Sequence, residues 1–447
     1  MLAARRIVVY GAVLRGVECR PVACVYSARA GSARVAVAEA LRRALLWSGD
    51  GLPVRAGSAD PALDLPVALC ALAASGRIPP EALEGTAAVG GLAPDGSVLP
   101  VRGAFSAALD LGALGFRRLL VPEANAPEAA AAGTLEVFPV RHVLEAVSLL
   151  RGDAPPSPFR GDARRPSGPD MADVRGHAYV KRALEVAAAG GHDILLVGPS
   201  GVGKTWLARA MASILPPPSP AEAVEANRLW SAEGLGLPPG RPFRVLGPGA
   251  TPRQAAAEAR RARHGVLLVD DLPAVPRRAL EVLFAEDARE NVRIVATARS
   301  CPCGAYGAVA RSCSCPAARI RRYRQAWAPA AERFAIRVWV PDGADASDPA
   351  SEPSALIRER VARALDVQRR RGVPCNARMT PDLINRFCPL GPDARRLMEA
   401  AVRQWGLSLR AVHDRLRVAR TIADLDGSET IETPHLVEAL GYGRADP

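Results

Sequence analysis

Residues 198–205 read GPSGVGKT. In the spacing G-x-x-x-x-G-K-T, the glycines let backbone N–H groups curl around phosphate oxygens, and a following helix N-terminus adds partial positive charge. Gly198, Pro199, Ser200, Gly201, Val202, Gly203, Lys204 and Thr205 are therefore the expected nucleotide-binding residues. Lys204 would reach the β- and γ-phosphates of ATP, and Thr205 would ligate Mg²⁺. A Gly-rich turn ending by chance in Lys-Thr is the alternative, and its neighbours argue against it: the apolar run ILLV precedes the loop and the helix-prone WLARAMASIL follows it. A nucleotide site also needs a carboxylate pair at a strand end, which HGVLLVDDL at 264–272 supplies. Asp270 is the expected Mg²⁺ ligand and Asp271 the group that orients the attacking water. A third cluster, Cys301, Cys303, Cys313 and Cys315, reads C-x-C twice. Four thiolates suit tetrahedral Zn²⁺, although C-x-C is tighter than the usual C-x₂-C knuckle, so a reduced, metal-free loop stays open beside zinc.

Composition bounds the setting of these groups. A chain of 447 residues with 49% hydrophobic content exceeds one ordinary core, so two or three domains are expected. Its longest apolar runs fall far short of the roughly 20 residues a membrane helix needs, so no membrane partner is expected. The apolar stretch 7–14 is interrupted by Gly11 and reads as a strand, not a leader. Nine cysteines without a secretory signal imply reduced thiols and a cytoplasmic protein. The net charge of +12 comes almost wholly from arginine, because Lys181 and Lys204 are the only lysines. Such a composition follows from GC-rich coding, so basicity alone is weak evidence for nucleic acid. The same bias sharpens Lys204, where a compact ammonium was retained.

The elements that must position these groups fall into three parts. Residues 1–152 alternate short apolar runs with Ala-rich helical patterns, and PDG at 94–96 marks a hairpin turn. A Pro-, Gly- and Arg-rich linker is expected at 153–169. An α/β nucleotide-binding core then spans 170–341, with a Pro-rich interruption at 216–220, and a second linker covers 342–353. From 354 to 447 the chain reads as helices at 356–371, 381–388, 392–423 and 434–440, with Thr380 and Thr433 as N-caps before Pro381 and Pro434.

With these motifs in place, the chain resembles the magnesium-chelatase-like AAA+ ATPases of the ComM/YifB competence-protein family. The likeness rests on 173–205 (DVRGHAYVKRALEVAAAGGHDILLVGPSGVGKT), on 406–429 (GLSLRAVHDRLRVARTIADLDGSE), and on DLPVALCALAASG at 64–76, PVRG at 100–103 and FRRLLVPEANAPEAA at 116–130. It implies a multidomain α/β protein: a Lon-protease-like α+β domain (ribosomal protein S5 domain 2-like), a central AAA+ P-loop core and a helical lid. Lon-type proteolysis needs a Ser-Lys dyad, and no lysine precedes Lys181, so the first domain is not expected to be a protease. The resemblance further implies that Arg410 is the lid arginine that reaches the γ-phosphate, and that Arg333 is an arginine finger offered to a neighbouring subunit of a ring, a hexamer by resemblance. Taken alone, Arg410 is a surface arginine on a helix. DNA is the implied partner, through branch migration or helicase-like remodelling in recombination and natural transformation. The cysteine segment is similar to one found in many family members.

The chain departs from the family pattern at several points. Asp271 stands where Glu is usual and His177 where Gln is usual. Arg299-Ser300 replaces an Asn-Pro, with Thr297 as the nearest polar substitute. The stretch between Arg244 and His264 is short, and the hairpin usual between Asp287 and Arg293 is missing. Reduced hydrolysis is therefore expected, and a non-motor ATP-binding scaffold or regulator remains the competing class, with a chelatase-type ATPase subunit third. The arginine–aromatic run RIRRYRQAW at 319–327 suits phosphate or base contacts, or equally a solvated helix face.

Overall fold

The computed structural model describes residues 7–26, 35–43, 54–153, 157–161, 169–285, 291–343 and 352–443. The expected linkers fall partly, and the missing hairpin mostly, outside these residues. The chain divides into two compact units, one made of 1–164 with 220–238, the other of 165–219 with 239–447.

In the first unit β1 (Val8–Arg15), β2 (Glu18–Tyr26), α1 (Val35–Arg43), β3 (Val54–Ala56), α2 (Asp64–Ala74) and β4 (Thr86–Ala88) are followed by a small hairpin of β5 (Gly91–Leu92) and β6 (Val98–Leu99). Then come α3 (Ala104–Ala113), β7 (Arg118–Pro122), α4 (Ala126–Ala130), β8 (Glu136–Val140) and α5 (Val143–Arg151). The six-stranded sheet runs β3-β2-β1-β4-β7-β8, antiparallel through β3, β2 and β1 and parallel beyond β1. Helix α2 is apolar on every side, and each residue from Leu65 to Ala73 is buried, as expected of a helix enclosed by its own core. The expected turn closes the hairpin: Gly96 takes φ +93° and donates to the Ala93 carbonyl at 3.0 Å.

The second unit carries the nucleotide motifs. Its elements are α6 (Ala178–Gly190), β9 (Ile194–Gly198), α7 (Lys204–Ala210), then, after the excursion of α8 (Pro220–Glu233), β10 (Phe243–Leu246), α9 (Pro252–Arg261), β11 (Val266–Val269), α10 (Arg277–Leu283), β12 (Arg293–Arg299), α11 (Ala317–Ala331) and β13 (Ile336–Trp339). All five strands are parallel, in the order β10-β11-β12-β9-β13. Strands β9 and β11 are apolar throughout and buried on both faces, the pattern a helix-covered parallel sheet requires.

Helix α8 leaves this unit and belongs to the first. There its Ser231 carbonyl accepts from Gly103 N–H (2.9 Å), its hydroxyl accepts from Phe105 N–H (3.1 Å), and Arg228 pairs with Asp110 at 2.5 Å. The Pro-rich interruption at 216–220 is where the chain departs.

The tail is helical: α12 (Ser354–Arg370), α13 (Pro381–Phe387), α14 (Pro392–Trp405), α15 (Leu409–Leu425) and α16 (Thr433–Gly441). The single helical run expected at 392–423 is broken, because Gly406 turns left-handed (φ +61°) and Ser408 caps a new helix by accepting from Ala411 N–H. Thr433 is the first residue of α16, not its cap. Glu432 caps it instead, paired with His435 in a reciprocal capping box.

Candidate nucleotide site

The phosphate loop leaves the carboxyl end of β9, between β12 and the edge strand β13 of the parallel sheet, the end at which α/β folds open toward ligands. Gly201 (φ +91°) and Gly203 (φ +86°) hold the left-handed backbone the curl needs, and a Cβ at either would meet nothing within 4 Å, so open space faces the loop. Gly198 is a glycine for a different reason: a Cβ there would lie 2.3 Å from the Val340 carbonyl oxygen.

Lys204 is buried, and its Nζ donates to the carbonyls of Gly198 (2.9 Å) and Pro199 (2.5 Å). Burial pushes its pKa down to about 8, against the pull of Asp271 and Asp270 and with a further push from Arg299. An ammonium desolvated against neutral carbonyls favours an anion when one arrives, so the loop fits phosphate.

Opposite the loop, Asp270 collects hydroxyls. Thr205 Oγ1 donates to its Oδ1 at 3.2 Å and Thr297 Oγ1 donates to the same oxygen at 2.8 Å. The Thr297 hydroxyl also accepts the Asp271 N–H at 2.9 Å. Thr297, the expected polar substitute, thus braces both carboxylate residues instead of pointing at open space. The Thr205–Asp270 pair is an oxygen-rich hard donor set of the kind Mg²⁺ takes.

Asp271 is held unusually. Its backbone is left-handed (φ +56°), and its Oδ2 accepts from Arg299 Nη2 at 2.6 Å. The pair leaves Asp271 Oδ1 and Arg299 Nε buried without a partner. Arg299 is the group missed in the sequence as a contact: its substitution for Asn was legible, its engagement of Asp271 was not.

Arg333 and Arg410 come together, but away from this site. Both line a cleft of about 520 Å³ with Arg337, Arg415 and Asp414. An adjoining cleft, also lined by both, includes Gly191, His192 and Asp193, which lie just before β9. The two arginines therefore sit at the amino ends of the strands, roughly 16 Å from the phosphate loop along the five residues of β9. Arg410 is half exposed, with a loose contact of 3.9 Å to Asp414.

The four cysteine Sγ atoms lie within 4.8 Å of one another, with Cys301–Cys303 at 3.4 Å and Cys313 at 3.6 Å from each of these. On α11, Arg319, Arg321 and Arg322 are exposed, while Arg324 covers the Tyr306 ring at 5.2 Å. No helix among the described residues is long and apolar enough to cross a membrane.

Comparison with known proteins gives three family matches: "Magnesium chelatase, subunit ChlI" over residues 170–347, "Magnesium chelatase, subunit ChlI C-terminal" over 351–443, and "Subunit ChlI of Mg-chelatase" over 53–125. The YifB protein of Salmonella typhimurium is 33% identical, covering 86% of this chain and 82% of its own length. The competence protein ComM of Haemophilus influenzae is 32% identical (85% and 82%), and the YifB protein of Escherichia coli 32% identical (86% and 82%).

Proposed function

The chain belongs to the YifB/ComM family of magnesium-chelatase-like proteins, an AAA+-type ATPase family, and from that premise we propose that it binds and hydrolyses ATP to remodel DNA. The observation that carries the ATPase reading is the loop at 198–205 facing an Asp270 already braced by Thr205 and Thr297. When bound, Mg²⁺–ATP supplies the scissile anhydride and a divalent charge. Lys204 would turn its ammonium from the loop carbonyls to phosphate oxygens, Thr205 and Asp270 would hold the cation, and Asp271 would orient the attacking water and take its proton as the terminal anhydride bond breaks to leave ADP and phosphate. Arg333 and Arg410, at the far end of the strands, act together on the nucleotide of a neighbouring subunit, so a ring, hexameric by resemblance, is required. The DNA reading draws on the competence role in the name of ComM and on the exposed arginines of α11. The first unit, without a Ser-Lys dyad, serves as a structural or partner-binding module of Lon-like descent.

One observation favours a second reading. The Asp271–Arg299 ion pair occupies the group that should activate water, which suits a slow-cycling ATP-binding scaffold or regulator. Nucleotide affinity and steady-state turnover, each measured with and without branched DNA, separate the two. DNA-stimulated turnover supports the motor, and tight binding with negligible turnover supports the scaffold. In either case Lys204→Ala is expected to weaken ATP binding roughly tenfold to a hundredfold, the weight of a charged hydrogen-bonding group. Unchanged affinity would remove the nucleotide reading.

A further inference from the structure

Residues 300–316, between β12 and α11, form neither helix nor strand. A stretch this long without ladder hydrogen bonds needs some other source of order. Its four thiols converge: the Sγ separations among Cys301, Cys303 and Cys313, 3.4 to 3.6 Å, approach the roughly 3.8 Å edge that four 2.3 Å Zn–S bonds impose on a tetrahedron, and Cys315 Sγ lies within 4.8 Å of all three. Soft thiolate donors with no competing oxygen or imidazole select zinc over the hard cation of the nucleotide site. Further bonds fold the segment about Cys301: its carbonyl accepts from Gly304 N–H at 3.0 Å, and its Sγ accepts from Tyr306 N–H at 3.3 Å.

The same segment grips the phosphate loop. The Gly304 carbonyl, one residue after Cys303, accepts from Ser200 N–H at 2.8 Å. Arg311, two residues before Cys313, donates from Nη2 to the Ser200 carbonyl at 3.0 Å. Both backbone polar groups of Ser200 are thus held by residues adjoining a cysteine pair, one from each pair. The approach is close enough that a Cβ on Gly304 would lie 2.1 Å from Ser200 Oγ, and Gly304 itself is left-handed (φ +74°).

We propose that Cys301, Cys303, Cys313 and Cys315 bind one Zn²⁺, and that the metal-closed segment is a clamp that fixes the phosphate loop through Ser200 and so sets nucleotide affinity. The coupling rests on the nucleotide-binding reading above. Closing the segment with a metal removes the conformational freedom that would otherwise be lost each time the loop is ordered around phosphate. Zinc here orders the loop and takes no part in chemistry on the nucleotide.

The test uses the full-length protein, metal analysis, and ADP affinity by calorimetry, which needs no turnover. The expected results are one zinc per chain, an affinity for ADP that falls roughly tenfold when a chelator strips the zinc, and recovery when Zn²⁺ is added back. Gly304→Ala is expected to keep its zinc and still lose ADP affinity, because it pushes on Ser200 without touching a ligand. Cys303→Ser combined with Cys313→Ser is expected to lose both. Metal-free wild-type protein, or stripped protein with unchanged ADP affinity, would overturn the clamp. Zinc-loaded wild type that binds no nucleotide would overturn the nucleotide reading, and with it the coupling.

Discussion

At the scale of single residues, the Asp271–Arg299 pair is, on the proposed ATPase reading, the expected limit on turnover. A carboxylate oxygen that accepts a guanidinium proton at 2.6 Å is less available to a water molecule, and the other oxygen of Asp271 is buried with no partner. Arg299 is 43% exposed, so solvent screening reduces the pair to about 1 kcal/mol. Arg299→Asn, which stays polar and frees Asp271, is accordingly expected to raise basal kcat about fivefold at saturating ATP and leave ADP affinity unchanged. Steady-state ATPase assays check this, and a lower kcat would mean that the guanidinium itself contributes to turnover. An aspartate is also one methylene shorter than a glutamate, so on the proposed reading its reach toward an attacking water is reduced.

At the scale of elements, the site depends on how closely β9 and β13 end side by side. Gly198 closes β9 against the backbone carbonyl of Val340, just after β13, and that carbonyl is not the movable end of a side chain. Gly198→Ala therefore forces the two strand ends apart. A cost on the order of 2 kcal/mol is expected, seen as a melting temperature several degrees lower in calorimetry of the whole chain. Elements with strong local signals were readable: the apolar runs of β9 and β11, the PDG turn and the prolines opening α13 and α14. Element ends were less so. The helical periodicity of α14 and α15 runs on through the break, and only the pair of Gly406 as stop and Ser408 as cap marks it.

At the scale of the whole molecule, the phosphate loop and the two arginines lie at opposite ends of one parallel sheet. On the proposed ATPase reading, this separation predicts that Arg333 and Arg410 serve a neighbouring subunit's loop, so that catalysis is shared between subunits. Mixing Lys204→Ala with Arg410→Ala protein provides the check. Each is expected to be nearly inactive alone, while the mixture regains a substantial fraction of wild-type turnover, because the first donates arginines to the intact loop of the second. A mixture no more active than its components would place Arg410 on its own subunit's nucleotide.

The sequence alone determined the strand, phosphate loop and helix start at 194–210, the carboxylate pair at 270–271, the cysteine cluster and the family resemblance. Each of these is carried by neighbouring residues whose spacing sets the local backbone, so covalent order suffices to reveal it. Only the tertiary structure decided which groups come together: Arg299 with Asp271, Gly304 and Arg311 with Ser200, Arg333 and Arg410 on the walls of one cleft, and α8 with the first unit. These partners are brought together by strand order and packing, across separations in sequence over which no periodicity or motif carries information.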